Sequence, residues 1–256
     1  MARGKKQLTL FQKGAFLYLR RAIIDEQSAE ALATLLKSTT NLQKLILYDC
    51  DLRAKGCLDI LSRGLKENTS LKELYVNFPA IKHYFAGNYS PCFDTHIDSE
   101  FGDKLAACIA NGIPASCSRI SLSSCGMTNI GAKAIAEALL GAKQELSAIY
   151  LSGNNIGDAG AIALVQACKT RQLSKELDLD LNNISDTGAM ALLEAMRAKG
   201  LFILHLCTMG HNSDIAVPIS SFTLHEIVHS QVPIVFQHKK EYRFSAWCVF
   251  PYLGYF

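Results

Sequence analysis

The stretch Leu146-Ser-Ala-Ile149-Tyr-Leu151-Ser-Gly-Asn154-Asn-Ile156-Gly-Asp-Ala-Gly160 decides the fold, because the chain repeats it with variations. One copy runs Leu42, Leu45, Leu47, Cys50, Leu52, Gly56, Ile60. Another runs Cys117, Ile120, Leu122, Cys125, Met127, Gly131, Ile135, and a third Ser174, Leu177, Leu179, Asn182, Ile184, Gly188, Leu192. A last partial copy holds Leu201, Leu204, Leu206 and Met209, and a weaker first one holds Leu17, Leu19, Ala22 and Ile24. Copies beginning at 117, 146, 174 and 201 are spaced by 29, 28 and 27 residues, and the step from 42 to 71 is again 29. A fixed period of this size means a stack of similar units.

Each slot has a physical task. Leu-x-Leu alternates with period two, so it predicts a short strand with one buried face. The Asn or Cys after it sits where the chain turns inward, and its side chain can pair with backbone groups that the turn leaves unmatched. The second half of each unit switches to helical spacing, as in Gly131, Ile135 and Leu139, which predicts an amphipathic outer helix. Asn129, Asp158 and Asp186 stand where N-caps are expected. The recurrent glycine allows neighbouring coils to approach closely. One unit cannot bury its own apolar face, so the units must stack.

On these residues the chain resembles the ribonuclease-inhibitor class of leucine-rich repeats over roughly residues 14–210; similar repeats occur in effectors of intracellular bacteria. The resemblance implies an α/β solenoid, a short horseshoe with a parallel inner sheet and outer helices. It also implies protein binding without catalysis. The expected organisation is an N-terminal cap and first weak repeat at 1–41, repeats at 42–210 with an insertion at 82–99, and an atypical C-terminal cap at 211–256.

Composition narrows the function class. Hydrophobic residues make up 49% of the 256, enough for a continuous core. No apolar run approaches the ~20 residues of a membrane span, and no signal-peptide apolar region follows the basic start. A net charge of +3 is a weak nucleic-acid footprint. Six Lys/Arg and no acid fall in residues 1–21, which reads as a solvated N-terminal cap. The nine cysteines form no C-x-x-C pair. Cys50 and Cys125 fill the Asn slot, Cys117 fills a Leu slot, and Cys108 and Cys168 fall on helical segments. The expectation is buried thiols in a reducing, cytoplasmic compartment, including a host cytoplasm reached without a cleaved signal.

His225-Glu226-Ile-Val-His229 matches H-E-x-x-H, in which two His one helical turn apart hold zinc and the Glu acts as base. A metal-dependent hydrolase using this segment, with the repeats as recruitment arm, is the alternative function. Against it, Pro233 ends the helix one turn later, the remaining chain is short, and the His expected by the longer zinc motif would fall at Val235. The simpler reading is a last outer helix from Ser221 to Gln231. His83, Cys92 and His96 match no common zinc spacing. No metal, cofactor or catalytic residue is assigned.

The insertion carries Tyr84, Phe85 and Tyr89 and should emerge at a rim of the sheet. The middle residue of Leu-x-Leu points away from the core. Those slots hold Tyr18, Ile46, Tyr75, Ser121, Tyr150, Asp178 and His205. The next outward slots hold Arg20, Tyr48, Asn77, Ser123, Ser152, Asp180 and Cys207. Four of the nine Tyr therefore share a face with the acidic pair Asp178 and Asp180. The candidate partner-binding residues are Tyr18, Tyr48, Tyr75, Tyr150, Asp178, Asp180, Tyr84, Phe85 and Tyr89. The partner expected is another protein, bound by a chain that is monomeric when free.

Overall fold

The computed structural model describes residues 9–13, 15–79, 97–141, 146–171, 176–185, 187–189, 191–192, 203–205 and 234–235. Strands and helices alternate along it: β1 (Thr9–Lys13), β2 (Phe16–Arg20), α1 (Glu26–Ser38), β3 (Lys44–Tyr48), α2 (Cys57–Glu67), β4 (Glu73–Asn77), α3 (Ser99–Gly112), β5 (Arg119–Ser121), α4 (Asn129–Gly141), β6 (Ala148–Tyr150), α5 (Asp158–Arg171), β7 (Glu176–Asp178), β8 (Ile203–His205) and β9 (Ile234–Val235). The strands lie side by side in chain order. From β2 onward every pairing is parallel, in a register that brings equivalent repeat positions together, as in Leu45↔Leu74, Leu74↔Ile120 and Ile120↔Ile149. This is the predicted α/β solenoid, an open parallel sheet alternating with helices.

The Leu-x-Leu pattern does what its period requires. Leu45, Leu47, Leu74, Val76, Ile120, Leu122, Ile149, Leu151, Leu177 and Leu179 are essentially inaccessible. They join the inner sides of the helices, such as Leu61, Leu65, Leu105, Ile109, Ile135 and Leu164, in one core. Burying each large aliphatic side chain contributes about 1.5–3 kcal/mol. The helices α1 to α5 pack each against the next, so the molecule is held together by nearest neighbours.

Only the N-terminal end of the described sheet departs from an all-parallel stack. β1 runs antiparallel to β2, with Lys13 opposite Phe16, so the basic N-terminal segment closes the first edge as a hairpin strand. The read-through of Leu17 and Leu19 as a repeat gave no sign of that strand. At the other end β9 pairs parallel with β8, Leu204 opposite Ile234, so Ile234–Val235 adds to the same sheet. The helix expected at Ser221–Gln231, most of the 82–99 insertion and Asp186 lie outside the described residues. The helix after the insertion starts at Ser99, where Asp98 caps it by accepting from the Phe101 N–H at 2.7 Å.

The inward turns are polar bridges between coils. Asn154 is 4% exposed. Its Oδ1 accepts from the N–H groups of Cys125 (2.9 Å) and Met127 (3.1 Å), and its Nδ2 donates to the carbonyls of Leu122 (2.8 Å) and Leu151 (2.9 Å). Asn182 repeats the arrangement one coil on, with the Ile156 N–H and the Leu151 carbonyl. Where Cys replaces Asn, the thiol donates to the preceding coil: Cys50 to the Leu19 carbonyl at 3.4 Å and Cys125 to that of Val76 at 3.1 Å.

The expected helix caps act across coils instead of within them. Asn129 and Asp158 are the first residues of their own helices. Asn129 Oδ1 accepts from Gly157 (2.8 Å) and Gly160 (2.9 Å), at the start of the following helix. Asp158 reaches the Ser185 N–H at 2.8 Å in the same manner. Asp103 does this for Thr128 and Gly131. The parallel stacking of helix starts places one coil's side chain beside the next coil's open N–H groups.

Candidate functional site

Because inward slots are filled by Leu, Ile and Val, the alternate slots form a second face of the sheet, turned away from the helices. Parallel register arranges them in three rows. The first holds Phe16, Lys44, Glu73, Arg119, Ala148, Glu176 and Ile203. The middle row holds Tyr18, Ile46, Tyr75, Ser121, Tyr150, Asp178 and His205. The third follows with Arg20, Tyr48, Asn77, Ser123, Ser152 and Asp180.

The structure thus brings Tyr18, Tyr48, Tyr75, Tyr150, Asp178 and Asp180 onto one face. They are not equally available. Tyr18, Tyr48 and Tyr150 are half-buried, as are both aspartates. Tyr75 is only 3% exposed. Its ring lies under the Lys44 ammonium, 4.8 Å from the centroid, and its hydroxyl donates to Glu73 at 2.9 Å. Tyr75 therefore supports the face from below and offers a partner little area. Tyr84, Phe85 and Tyr89 lie outside the described residues, as do His83, Cys92, His96 and the His225–His229 segment. No group of three or more potential metal-ligating side chains occurs among the described residues.

The first row escaped the sequence reading, and it carries most of the charge. Glu73 is shared by Lys44 at 3.0 Å and Arg119 at 3.0 Å. Burial by itself would raise the Glu73 carboxyl. The hydrogen bonds from Lys44 and Tyr75, with the charges of Lys44 and Arg119, outweigh burial and hold it below the usual carboxylate value. The signal was present, since these residues stand two positions before the middle row with the same period-two exposure. Tyr150 donates to Glu176 at 3.1 Å. Burial first, then the Glu176 charge and that hydrogen bond, push its phenol up to about 12. Arg20 lies 5.8 Å from the Tyr48 ring centroid, a cation–π contact.

The centre of the face is polar and low. Ser121 donates to Asn77 Oδ1 at 2.7 Å, the Ser123 N–H donates to the same oxygen at 3.0 Å, and Ser152 donates to Ser123 at 3.2 Å. At its end, Asp178 accepts from the Asp180 N–H at 2.9 Å, which fixes the turn after β7. The face offers aromatic area, a track of small hydroxyls and ordered charges. These are the means of holding another macromolecular surface.

No helix among the described residues is long and apolar enough to cross a membrane. The sequence model of the leucine-rich repeat family matches residues 119–136, 144–165 and 175–193. No curated protein is significantly similar in sequence. Among solved structures that match, leiomodin-1 actin-binding site 2 is 16% identical, over 54% of this chain and 76% of that one, with a TM-score of 0.38. The matched stretches coincide with the coils β5–α4, β6–α5 and β7, so these coils are leucine-rich repeats within the α/β solenoid.

Proposed function

We propose that this chain is a non-enzymatic module that binds another protein through the open face of its sheet. The observation that carries this reading is the shared face of Tyr18, Tyr48 and Tyr150, half-exposed in register beside the serine track. Tyr combines large apolar area with a polar tip and is enriched at the energetic centres of interfaces. On this reading the insertion at 82–99, with Tyr84, Phe85 and Tyr89, takes part in the same interaction. The coil length of 27–29 residues fits the ribonuclease-inhibitor class, and buried thiols suit a reducing cytoplasm. A short array of this kind suits an effector working in a host cell. The free chain is a monomer.

The test is affinity capture of the partner followed by titration of variants. Tyr48→Ala and Tyr150→Ala should each weaken binding by about 1–3 kcal/mol with folding intact. Lys133→Ala and Glu137→Ala, exposed on α4, should leave binding unchanged. The reverse pattern would place the site on the helices. Zinc analysis of the purified protein separates this function from a metal-dependent hydrolase: stoichiometric zinc lost in His225→Ala would overturn it.

A further inference from the structure

The open face is electrically polarised along the stack. Strands β2 to β5 present three cations, Arg20, Lys44 and Arg119, against the single carboxylate of Glu73. Over β6 and β7 the same three rows hold Ala148, Tyr150, Ser152, Glu176, Asp178 and Asp180, with no cation. The two ends meet at the serines of the β5 and β6 coils, Ser121, Ser123 and Ser152. A partner matched to this face must carry the opposite order, because like charges set against either end are penalised.

Resting on the protein-binding reading above, we propose that the occupant is an elongated segment of the partner, basic where it crosses β6–β7 and acidic where it crosses β2–β3. Arg20 on β2 and Asp178 on β7 lie on strands five steps apart, which is about 24 Å at ~4.8 Å per strand. The segment's two charged blocks are then separated by about seven residues if extended, or about 16 if helical. Tyr18, Ile46, Tyr48 and Tyr150 supply its apolar floor, and the serines admit its larger side chains near the centre. The gradient fixes the direction in which the segment lies, which a uniformly charged face could not do.

The probe is a phage-displayed library of random 20-residue peptides, selected on the full chain at low salt. Selected peptides should carry a Lys/Arg block and an Asp/Glu block at one of these spacings, and should bind at least tenfold more weakly at high salt. E176K/D178K/D180K should lower their affinity at least tenfold, and peptides with the basic block reversed should regain it. Because that triple change could disturb β7, E176Q/D178N is measured beside it and should weaken binding at least threefold, with an unchanged circular dichroism spectrum. Selection without charge-ordered peptides, or charge-ordered peptides indifferent to both variants, overturns the proposal. Peptides without charge order that are lost on Tyr48→Ala and Tyr150→Ala would overturn the polarity alone. Peptides indifferent to all four variants would overturn the open-face reading as well.

Discussion

At the scale of single residues, the inward turns are where this solenoid is most sensitive. Asn154 satisfies two N–H groups and two carbonyls from two coils while almost fully buried. Truncation leaves those groups without partners in a site closed to water. Asn154→Ala is expected to cost about 3 kcal/mol, read as a lower urea midpoint. A loss under 1 kcal/mol would mean that water replaces the amide. The Cys versions of the slot do less, since a thiol offers one weak donor, and they make the N-terminal coils less dependent on this bridge.

The backbone just before each of these turns is unusual. Arg21, Asp49, Ser124, Gly153 and Leu181 occupy the same slot of five repeats and all have φ between 55° and 71°. Only one is glycine. For the others the left-handed conformation costs about 1–2 kcal/mol each, held in place by the ladder on one side and the bridging turn on the other.

Between elements, the spacing of helices depends on glycine. A Cβ at Gly160 would lie 2.7 Å from Asn129 Oδ1 and 2.9 Å from the Ala132 Cβ, while one at Gly141 meets nothing within 4 Å. Gly160→Ala should therefore push α5 off α4 and destabilise the fold by about 1–3 kcal/mol, read as a lower melting temperature. Gly141→Ala, at the end of α4, should be neutral or stabilising by up to about 1 kcal/mol. Equal effects from both would show that the crossing is loose. The same contact removes a hydrogen-bond acceptor's room, so the Asn129 bridge to Gly157 and Gly160 should weaken together with the packing.

For the whole molecule, nearest-neighbour stacking makes the ends decisive. Removing residues 211–256 deletes β9 and leaves β8 as an open edge beside the buried Leu204. The truncated chain should be insoluble or partly melted, with hydrogen-exchange protection lost first in β7 and β8 and retained in β3 and β4. A soluble, fully protected truncation would make the tail an independent appendage.

Alkaline stability is also a property of the whole stack. Burial pushes the thiols of Cys50, Cys57, Cys108 and Cys117 up to about 11, and that of Cys168 to about 12, from an ordinary value of 9.0. Cys125 moves in the same direction for the same reason. The folded pKa values lie above the unfolded ones, so their stabilising contribution is complete below pH 9 and is lost as pH rises through 11. The melting temperature should fall across that window, and thiol reagents at pH 8 should modify these six cysteines only after unfolding. Rapid modification of the native chain would contradict their burial.

The sequence by itself determined the repeat, its strand and helix halves, the inward leucines and the bridging Asn and Cys. Periods of two and of 3.6 residues encode which side chains face the core, and a 27–29-residue recurrence encodes stacking. It also marked the outward Tyr18, Tyr48, Tyr75 and Tyr150. Only the tertiary structure decided which of them is accessible: Tyr75 is covered because Lys44 of the adjacent strand β3 lies over its ring. It likewise decided that Asn129 and Asp158 cap the next helix, that β1 closes the edge antiparallel, and that non-glycine residues adopt left-handed turns. Apart from the β1 hairpin, which pairs with the strand that directly follows it, each depends on a neighbour one coil away, some 28 residues distant in sequence, and a pattern read along one coil cannot carry a contact made between two.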